Sequence, residues 1–170
     1  MIRPATAGDA PALAHLKLTA FRQTFLEDFA IPYPPEDLAR FELQSYGLAK
    51  VGAELADPTH RTWVVDGAEG RLVAYCHCGP AKLPLPEVSS GDGEIYQLYL
   101  LREAQGRGLG KRLLDLALET LGSDRPVWLG VWSGNARAQA LYHANGFRAV
   151  GTYKFPVGTW LDEEIAMRRG

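Results

Sequence analysis

Cysteine is almost absent from this sequence, since its 170 residues include only Cys76 and Cys78. Two cysteines separated by one residue do not make the disulfide framework on which small secreted domains depend, so a reducing compartment is expected. Long apolar runs are absent as well, and the N-terminus MIRPATAGDAPALAHLKL lacks the basic-then-apolar order of a signal peptide. These absences predict a cytoplasmic protein with no membrane association.

An excess of one charge is also lacking. The chain carries 18 Lys and Arg residues against 20 Asp and Glu, a formal net charge of -2. General nucleic-acid or membrane-surface binders usually have a basic excess, so neither partner is expected and any anion site has to be local. Internal repeats, low-complexity tracts and flexible linkers are absent too, which predicts a single domain over residues 1–170.

Helix and strand signals follow one another in a mixed order. Apolar residues at a 3.6-residue period with capping residues predict the helices, and branched or aromatic runs bounded by turn residues predict the strands. The expected helices are about Ala10 to Glu27, Pro35 to Tyr46, Leu109 to Leu121 and Asn135 to Asn145; the expected strands are Met1 to Ala5, Arg61 to Asp66, Arg71 to Cys78, Glu94 to Leu101, Pro126 to Trp132, Phe147 to Phe155 and Thr159 to Arg169. This order predicts an α/β or α+β fold with a largely antiparallel sheet, flanking helices and one strand-helix-strand unit.

The segment EAQGRGLGKRL is a glycine-rich loop that opens a helix directly after a strand. A Walker A loop needs Ser or Thr where Arg112 stands, and a dinucleotide fingerprint needs glycine where Lys111 stands. What remains is Gln105-x-x-Gly108-x-Gly110, in which N–H groups at a helix N-terminus point outward and glycines let an anion approach. The alternative is a turn that merely starts a helix, and the loop alone does not decide between the two.

A second pattern lies on the helix after the WLGVW strand. Asn135, Ala138 and Tyr142 are spaced i, i+3 and i+7, which puts them on one stripe of the helix. A small residue between two polar ones suits a slender chain lying along the helix. The alternative is a partly buried face on which Tyr142 is an ordinary packed aromatic.

Together, the two segments resemble the GNAT family of acyl-CoA-dependent N-acetyltransferases. EIYQLYLLREAQGRGLGKRLL, from Glu94 to Leu114, is similar to the family's strand and Q/R-x-x-G-x-G/A loop, and WLGVWSGNARAQALYHANGF, from Trp128 to Phe147, to its later strand and N-x-x-A-x-x-x-Y-x-x-x-G-F helix. The resemblance covers essentially the full chain and implies one N-acetyltransferase domain with a GNAT-like sheet of about seven strands. One departure is Arg102, where many members have proline after the strand.

The resemblance also implies acetyl-CoA as the cofactor and where it would bind. The strand backbone would bind the pantetheine amides and the thioester carbonyl, and the glycine loop would bind the pyrophosphate. Asn135 would hold the cofactor's arm, and Tyr142 would face the sulfur. The cofactor-binding residues implied in this way are Leu98, Tyr99, Leu100, Gln105, Gly106, Arg107, Gly108, Leu109, Gly110, Lys111, Asn135, Ala138 and Tyr142.

Acetyl transfer to an amine needs proton transfer at both reacting groups. The leaving thiol, with a pKa near ~8.5, needs only modest help from a phenol such as Tyr142, whereas an amine with a pKa of about 10.4 must lose a proton before it attacks. Glu94 is the candidate base, acting directly or through water, and Tyr96 on the same strand face could share that task. The alternative for Glu94 is a solvated strand-end carboxylate. Tyr142 and Glu94 are therefore the expected catalytic residues.

No metal site is expected. Cys76 and Cys78 lie on one face of a strand and His77 on the other, so the three do not converge on one ion, and buried thiols are the better interpretation. The remaining histidines, His60 among them, show no evident partner. No cysteine lies in either motif, which favours direct transfer in a ternary complex over an acyl-cysteine route.

The acceptor is the part that the sequence constrains least. FRQTFLEDF and YPPEDL look most like the spermidine/spermine-type, polyamine-acetylating branch of the family, in which the first two helices border the acceptor groove. Carboxylates beside aromatic rings suit a polycation, although solvated acidic helix ends are the common alternative. The carboxylates are Glu27, Asp28, Glu36 and Asp37, and the expected substrate-binding residues are Phe29, Tyr33, Glu94 and Tyr96.

The leading hypothesis is thus an acetyl-CoA-dependent N-acetyltransferase acting on a primary amine of a small molecule, with polyamines as the candidate class. Two alternatives stay open: a non-catalytic acyl-CoA-binding or sensing module, and an acetyltransferase for a protein N-terminus or another small amine. A homodimer is also left open.

Overall fold

Seven strands form one sheet in the computed structural model, which describes all residues from Met1 to Gly170. The strands are β1 (Ile2–Pro4), β2 (Arg61–Asp66), β3 (Leu72–Pro80), β4 (Gly93–Leu100), β5 (Val127–Trp132), β6 (Arg148–Val157) and β7 (Trp160–Arg169). Their order across the sheet is β1-β2-β3-β4-β5-β7-β6. Only β4 and β5 pair in parallel, and all other neighbours are antiparallel. The predicted mixed, largely antiparallel sheet is confirmed.

Five α-helices flank the sheet. They are α1 (Ala10–Phe21), which continues into a π-helical segment at Arg22–Asp28, α2 (Pro35–Tyr46), α3 (Leu48–Ala56), α4 (Leu109–Leu121) and α5 (Ala136–Ala144). Helices α4 and α5 pack on one face of the sheet over a large apolar cluster, while α1 and α3 cover the opposite face. None of the helices has the length and apolar character needed to cross a membrane.

Helix α3 corrects the sequence analysis, which assigned no element to residues 48–56. Its sequence LAKVGAELA is only nine residues long, contains Gly52 and follows Gly47 without a capping side chain, so its start signal is weak. Tertiary packing settles the conformation instead, because Val51 is fully buried in the cluster beneath α1.

Strand β4 contains an irregularity that sets up the site. Its register with β3 shifts between His77 and Cys78, so that Tyr96 is an extra, bulged residue. Beyond the bulge, Leu98 and Leu100 pack with Ile95 against the α4 face, and Tyr99 faces the other side. Strict alternation would have placed Leu98 and Leu100 on the face of Glu94, so the bulge exchanges the two faces of the strand.

Candidate active site

A cleft separates β4 from β5 along the second half of both strands. The two strands pair only from Gly93–Val127 to Ile95–Leu129, and beyond those pairs they diverge. Backbone groups of β4 on that edge therefore have no strand partner and are available to an extended ligand. A cavity of about 50 Å³ lies in the cleft, and Leu98 and Tyr99 of β4 line it.

Helix α5 forms the far wall of the cleft with the predicted stripe of residues. Asn135, Ala138 and Tyr142 all line the cavity. Asn135 is the N-cap of α5, since its Oδ1 accepts from the Ala138 N–H at 3.0 Å. Tyr142 is 7% exposed, and burial raises the pKa of its phenol above the ordinary value. A neutral hydroxyl is therefore held at the cleft, in the protonation state that a proton donor requires.

The glycine loop lies where β4 ends and α4 begins. Gly106 and Gly108 have φ values of 76° and 72°, and a Cβ at either would meet nothing within 4 Å, so the positive φ rather than crowding requires glycine. The first intrahelical bond runs from the Arg112 N–H to the Gly108 carbonyl. The N–H groups of the first helical residues thus have no helical partner and suit an anion such as a pyrophosphate.

Gln105 and Lys111 in this loop already have partners. Gln105 donates from Nε2 to the Leu100 carbonyl at 3.1 Å and accepts from Arg137 Nη1 at 2.6 Å, which ties the loop to β4 and α5. Lys111 pairs with Asp115 at 2.7 Å. The Gln105 bonds hold the loop in place, whereas the Lys111 pair lies within α4.

Arg102, which stands where the family resemblance expects proline, has a structural role. Its guanidinium pairs with Glu27 at 2.7 Å and with Asp28 at 2.6 Å, and its N–H donates to Gln23 Oε1. The residue thereby joins the end of β4 to the end of the first helix.

A larger cavity of about 450 Å³ opens on the other face of the sheet. It is enclosed by α2, α3 and the strands β3, β4, β6 and β7, and its wall combines aromatic rings with charged side chains. Tyr33, Glu94 and Tyr96 of the predicted substrate set line this cavity, whereas Phe29 lines neither cavity and packs against Trp132. The position of Phe29 does not support its predicted contact with the acceptor.

The carboxylates that motivated the polyamine prediction do not line the larger cavity. Glu27 and Asp28 pair with Arg102, Glu36 is exposed, and Asp37 accepts from the Thr159 N–H and hydroxyl at 2.9 and 2.6 Å. These groups serve as surface ion pairs and loop contacts. This is close to the alternative interpretation, in which they are solvated acidic helix ends.

Glu94 is not a solvated strand-end carboxylate. It is 5% exposed, and its Oε2 accepts from the Lys82 and Leu83 N–H groups at 2.6 and 3.1 Å. Burial raises its pKa against the opposing effect of these bonds. Glu94 lines the larger cavity but not the cleft, so any proton transfer from a group in the cleft has to pass through an intermediary.

Glu164 was missed in the sequence because DEEI resembles an exposed acidic segment. In the structure it lines both the cleft and the larger cavity. Burial, and next the charge of Asp162, raise its pKa to about 8. Nearby, a Cβ at Gly130 would collide with the Tyr153 hydroxyl, so glycine makes room for that hydroxyl.

A buried polar cluster lies behind the larger cavity. Lys17 is 1% exposed and pairs with Glu54 at 2.5 Å, and burial lowers its pKa. His77 Nδ1 lies 3.0 Å from the Thr62 hydroxyl, and its Nε2 lies 3.2 Å from His60 Nδ1. The expectation that His60 has no partner is therefore wrong, because a strand pairing between β2 and β3 brings the two histidines together.

The two cysteines of β3 conform to the sequence interpretation. Cys76 and Cys78 are free, buried thiols in the cluster under α4, while His77 faces the larger cavity. Burial raises the pKa of Cys78 to about 11. Neither thiol lines the cleft or the larger cavity.

Comparison with known proteins supports the architecture. Residues 18–147 match the family model described as the acetyltransferase (GNAT) family. A relative from Lactobacillus delbrueckii subsp. lactis, named an uncharacterised N-acetyltransferase, is 31% identical over 139 residues, which are 81% of this chain and 80% of the relative.

Solved structures show the same fold. The PaiA N-acetyltransferase of Thermoplasma acidophilum, in complex with coenzyme A, superposes with a TM-score of 0.75 at 19% identity over 99% of this chain and 97% of that chain. The ribosomal-protein-alanine N-acetyltransferase of Brucella melitensis gives a TM-score of 0.64 at 25% identity, with 99% and 98% covered. The chain belongs to the GNAT family and is an acetyltransferase that uses acetyl-CoA.

Proposed function

We propose that the protein transfers an acetyl group from acetyl-CoA to a primary amine by direct attack, within a single catalytic domain formed by residues 1–170. One observation carries this proposal. The cleft and the larger cavity are contiguous, since Phe25, Tyr96, Gln97, Tyr99, Gly130 and Glu164 line both of them. Two reactants entering from opposite sides of the sheet would meet at this junction.

The cleft side fits the cofactor. Acetyl-CoA supplies a thioester whose carbonyl carbon accepts the amine. The free edge of β4 from Leu98 to Leu100 binds the amide groups of its pantetheine arm, and the N–H groups from Gly106 to Lys111 bind its pyrophosphate. Asn135 and Ala138 border the arm along α5.

Tyr142 is the proposed acid. Its buried phenol lies in the cleft and keeps its proton, so it donates a hydrogen bond or a proton to the departing sulfur. A backbone N–H on the free edge of β4 stabilises the oxyanion that forms at the carbonyl.

The larger cavity is the proposed acceptor site. Its wall contains Tyr33 and Tyr96, and Glu94 could accept a proton there through water. Of the four carboxylates on its wall, Glu54, Glu94 and Asp162 already have hydrogen-bond or ion-pair partners, so a polyamine with several positive charges would find few free carboxylates there. A small amine with one cationic end suits this wall better than the predicted polyamine does.

A thiol-release assay with acetyl-CoA and a panel of amines tests the proposal. The panel contains polyamines, amino acids, aminoglycosides and peptides with a free N-terminus, and mass spectrometry identifies the acetylated atom. We expect at least one amine to be acetylated, with monoamines preferred over polyamines. If only alcohols or water accept the acetyl group, the proposal fails.

The Tyr142→Phe variant tests the acid directly. We expect kcat to fall about 100-fold while KM for acetyl-CoA changes little, because general acid catalysis typically contributes 10²–10⁴-fold. Tyr75→Phe is the matched control, since Tyr75 is also buried but lines neither cavity. Unchanged turnover in Tyr142→Phe would remove this residue from its role.

A further inference from the structure

No other carboxylate in the protein occupies the position of Glu164. Of the residues that line both the cleft and the acceptor cavity, it alone carries a carboxylate, and the others that ionise are tyrosines. Burial raises the pKa of the phenols of Tyr96 and Tyr99 above their ordinary values, so these phenols stay protonated near neutral pH. Glu164 is therefore the only proton acceptor available at the junction itself.

The register of the sheet fixes the direction of this side chain. Glu164 on β7 lies beside Trp132 of β5 and Tyr153 of β6. Asp162 precedes it by two residues and so faces the same side, towards the acceptor cavity. The exposed Glu163 between them faces the opposite side and pairs with Lys154 at 2.9 Å.

The two carboxylates on this side differ in their partners. Asp162 is buried and accepts from the Tyr33 hydroxyl at 2.5 Å and from Trp160 Nε1 at 2.9 Å. Glu164 has no such donors: only burial and the charge of Asp162 shift its pKa, to about 8, and no hydrogen bond opposes them. Asp162 is thus occupied, and Glu164 is free to interact with a ligand.

The groups around Glu164 come from every element packed against it, and none is a cation. Burial, and after it the charge of Glu164, raise the pKa of four phenols, on β4, β6, α5 and the segment before α2; these are Tyr99, Tyr153, Tyr142 and Tyr33. The lysines of the cavity wall are engaged elsewhere. Lys154 pairs with Glu163, Lys50 lies 3.5 Å from Glu54, and Lys82 stacks on the Tyr96 ring. A carboxylate surrounded by phenols without a cationic side chain is suited to the ammonium group of a substrate.

We infer that Glu164 binds the ammonium group of the acceptor at the junction and removes one of its protons, so that the amine attacks as a neutral nucleophile. This inference rests on the proposed function. In this step the N–H bond breaks, its electron pair stays on nitrogen, and the proton forms an O–H bond on the Glu164 carboxylate. The carboxylic acid then returns the proton to water through the acceptor cavity, where Glu94 lies.

A carboxylate of this kind is a better base than an ordinary one. Proton transfer from an ammonium with a pKa of about 10.4 is uphill in free energy. The cost is far smaller when the acceptor has a pKa near 8 than when it has the ordinary glutamate pKa of about 4.3. Glu94 lacks access to the cleft, so it can contribute only by relay.

The Glu164→Gln variant tests this role, and Glu163→Gln is the matched control because it makes the same change on the opposite face. We expect Glu164→Gln to lower kcat/KM for the acceptor about 100-fold or more at neutral pH, and Glu163→Gln to leave it unchanged. In the wild type, kcat/KM should rise with pH and level off near pH 8. In Glu164→Gln that break should disappear, and kcat/KM should keep rising up to the pKa of the amine.

Thermal unfolding in the absence of acetyl-CoA gives a readout independent of activity. Between pH 4.5, the ordinary pKa of a glutamate, and about pH 8, Glu164 keeps its proton in the native state. In the unfolded state the same carboxyl group has already lost its proton. Stability from this group is therefore present at low pH and is lost as pH rises to about 8. We expect the Tm of Glu164→Gln, relative to wild type, to increase from pH 5 to pH 9, and Glu163→Gln to show no such trend.

Glu164→Asp separates a catalytic role from a structural one. It keeps a carboxylate but shortens it, so we expect partial activity and a retained break in the pH profile. The inference is overturned if Glu164→Gln keeps both the activity of the wild type and the break in its pH profile. It is also overturned if the Tm difference between Glu164→Gln and the wild type does not vary with pH. Wild-type protein that acetylates no amine at all would instead overturn the proposed function.

Discussion

The proposed cofactor cleft and the proposed acceptor cavity share several lining residues, but they are built by different means. The free strand edge, the helix N–H groups and the helix stripe of the cleft side come from the segment from β4 to α5, and Phe25 and Glu164 complete the cleft wall. The cavity is made of side chains from α2, α3 and four strands spread over the chain, and buried charges lie in and behind its wall. Backbone groups are present in every sequence and suit a part of a ligand that does not vary. Side chains differ from one sequence to another and suit a part of a ligand that varies. The proposed cofactor half therefore depends mainly on backbone groups, and the proposed acceptor half on particular side chains.

The largest effect is expected behind the acceptor cavity. Lys17→Met should lower the free energy of unfolding by about 3 kcal/mol, because it leaves the Glu54 carboxylate without its buried partner. Chemical denaturation measures the loss. Lys17→Met combined with Glu54→Leu should recover most of it, since an apolar pair can replace a buried ion pair.

This substitution also separates the two halves of the site. Stabilisation of Lys17→Met by CoA in a thermal shift assay should match that of the wild type. If the single variant is as stable as the wild type, or if it loses CoA binding, the two halves are not separate in the way described.

The second effect concerns the glycine loop. Gly108→Val should raise KM for acetyl-CoA about 10-fold, since a branched residue at φ 72° costs about 1–2 kcal/mol and distorts the loop. Steady-state kinetics at saturating acceptor measures it. Gly70→Val is the matched control, because Gly70 has the same φ of 72° and open space around it but lies in the β2–β3 turn.

Gly70→Val should lose about as much stability as Gly108→Val, with no change in KM for acetyl-CoA. Gly108→Asn should be milder than Gly108→Val, since asparagine tolerates the left-handed region. Equal KM values for Gly108→Val and Gly70→Val would show that the loop does not contact the cofactor.

The smallest effect is expected at the start of α5. Asn135→Ala should destabilise the protein by about 1 kcal/mol through loss of the cap to the Ala138 N–H. Asn135→Asp keeps the cap but loses the amide donor, so it should retain stability while KM for acetyl-CoA rises. If Asn135→Asp binds acetyl-CoA normally, the residue acts as a cap alone.

The sequence predicted where the residues of the cleft lie far better than where those of the cavity lie, for a physical reason. Residues 94–147 carry the loop and the helix stripe at fixed spacings, and local rules of turns and helical periodicity are enough to place them. The bulge at Tyr96, the contact between His60 and His77, and the exposure of Glu164 to both cavities depend on strand register instead. The prediction for Phe29 and the acidic helix ends rests on the resemblance to the polyamine-acetylating branch, whereas in the structure their partners are Trp132, Arg102 and Thr159.

The central claim is that both substrates are bound together at one junction and that the acetyl group passes directly between them. Initial velocities measured while acetyl-CoA and the acceptor amine are both varied test this most directly. We predict double-reciprocal lines that intersect, as a ternary complex requires, because Cys76 and Cys78 line neither cavity and no thiol is available to carry the acetyl group. Parallel lines, the pattern of a covalent acetyl-enzyme, would contradict the account.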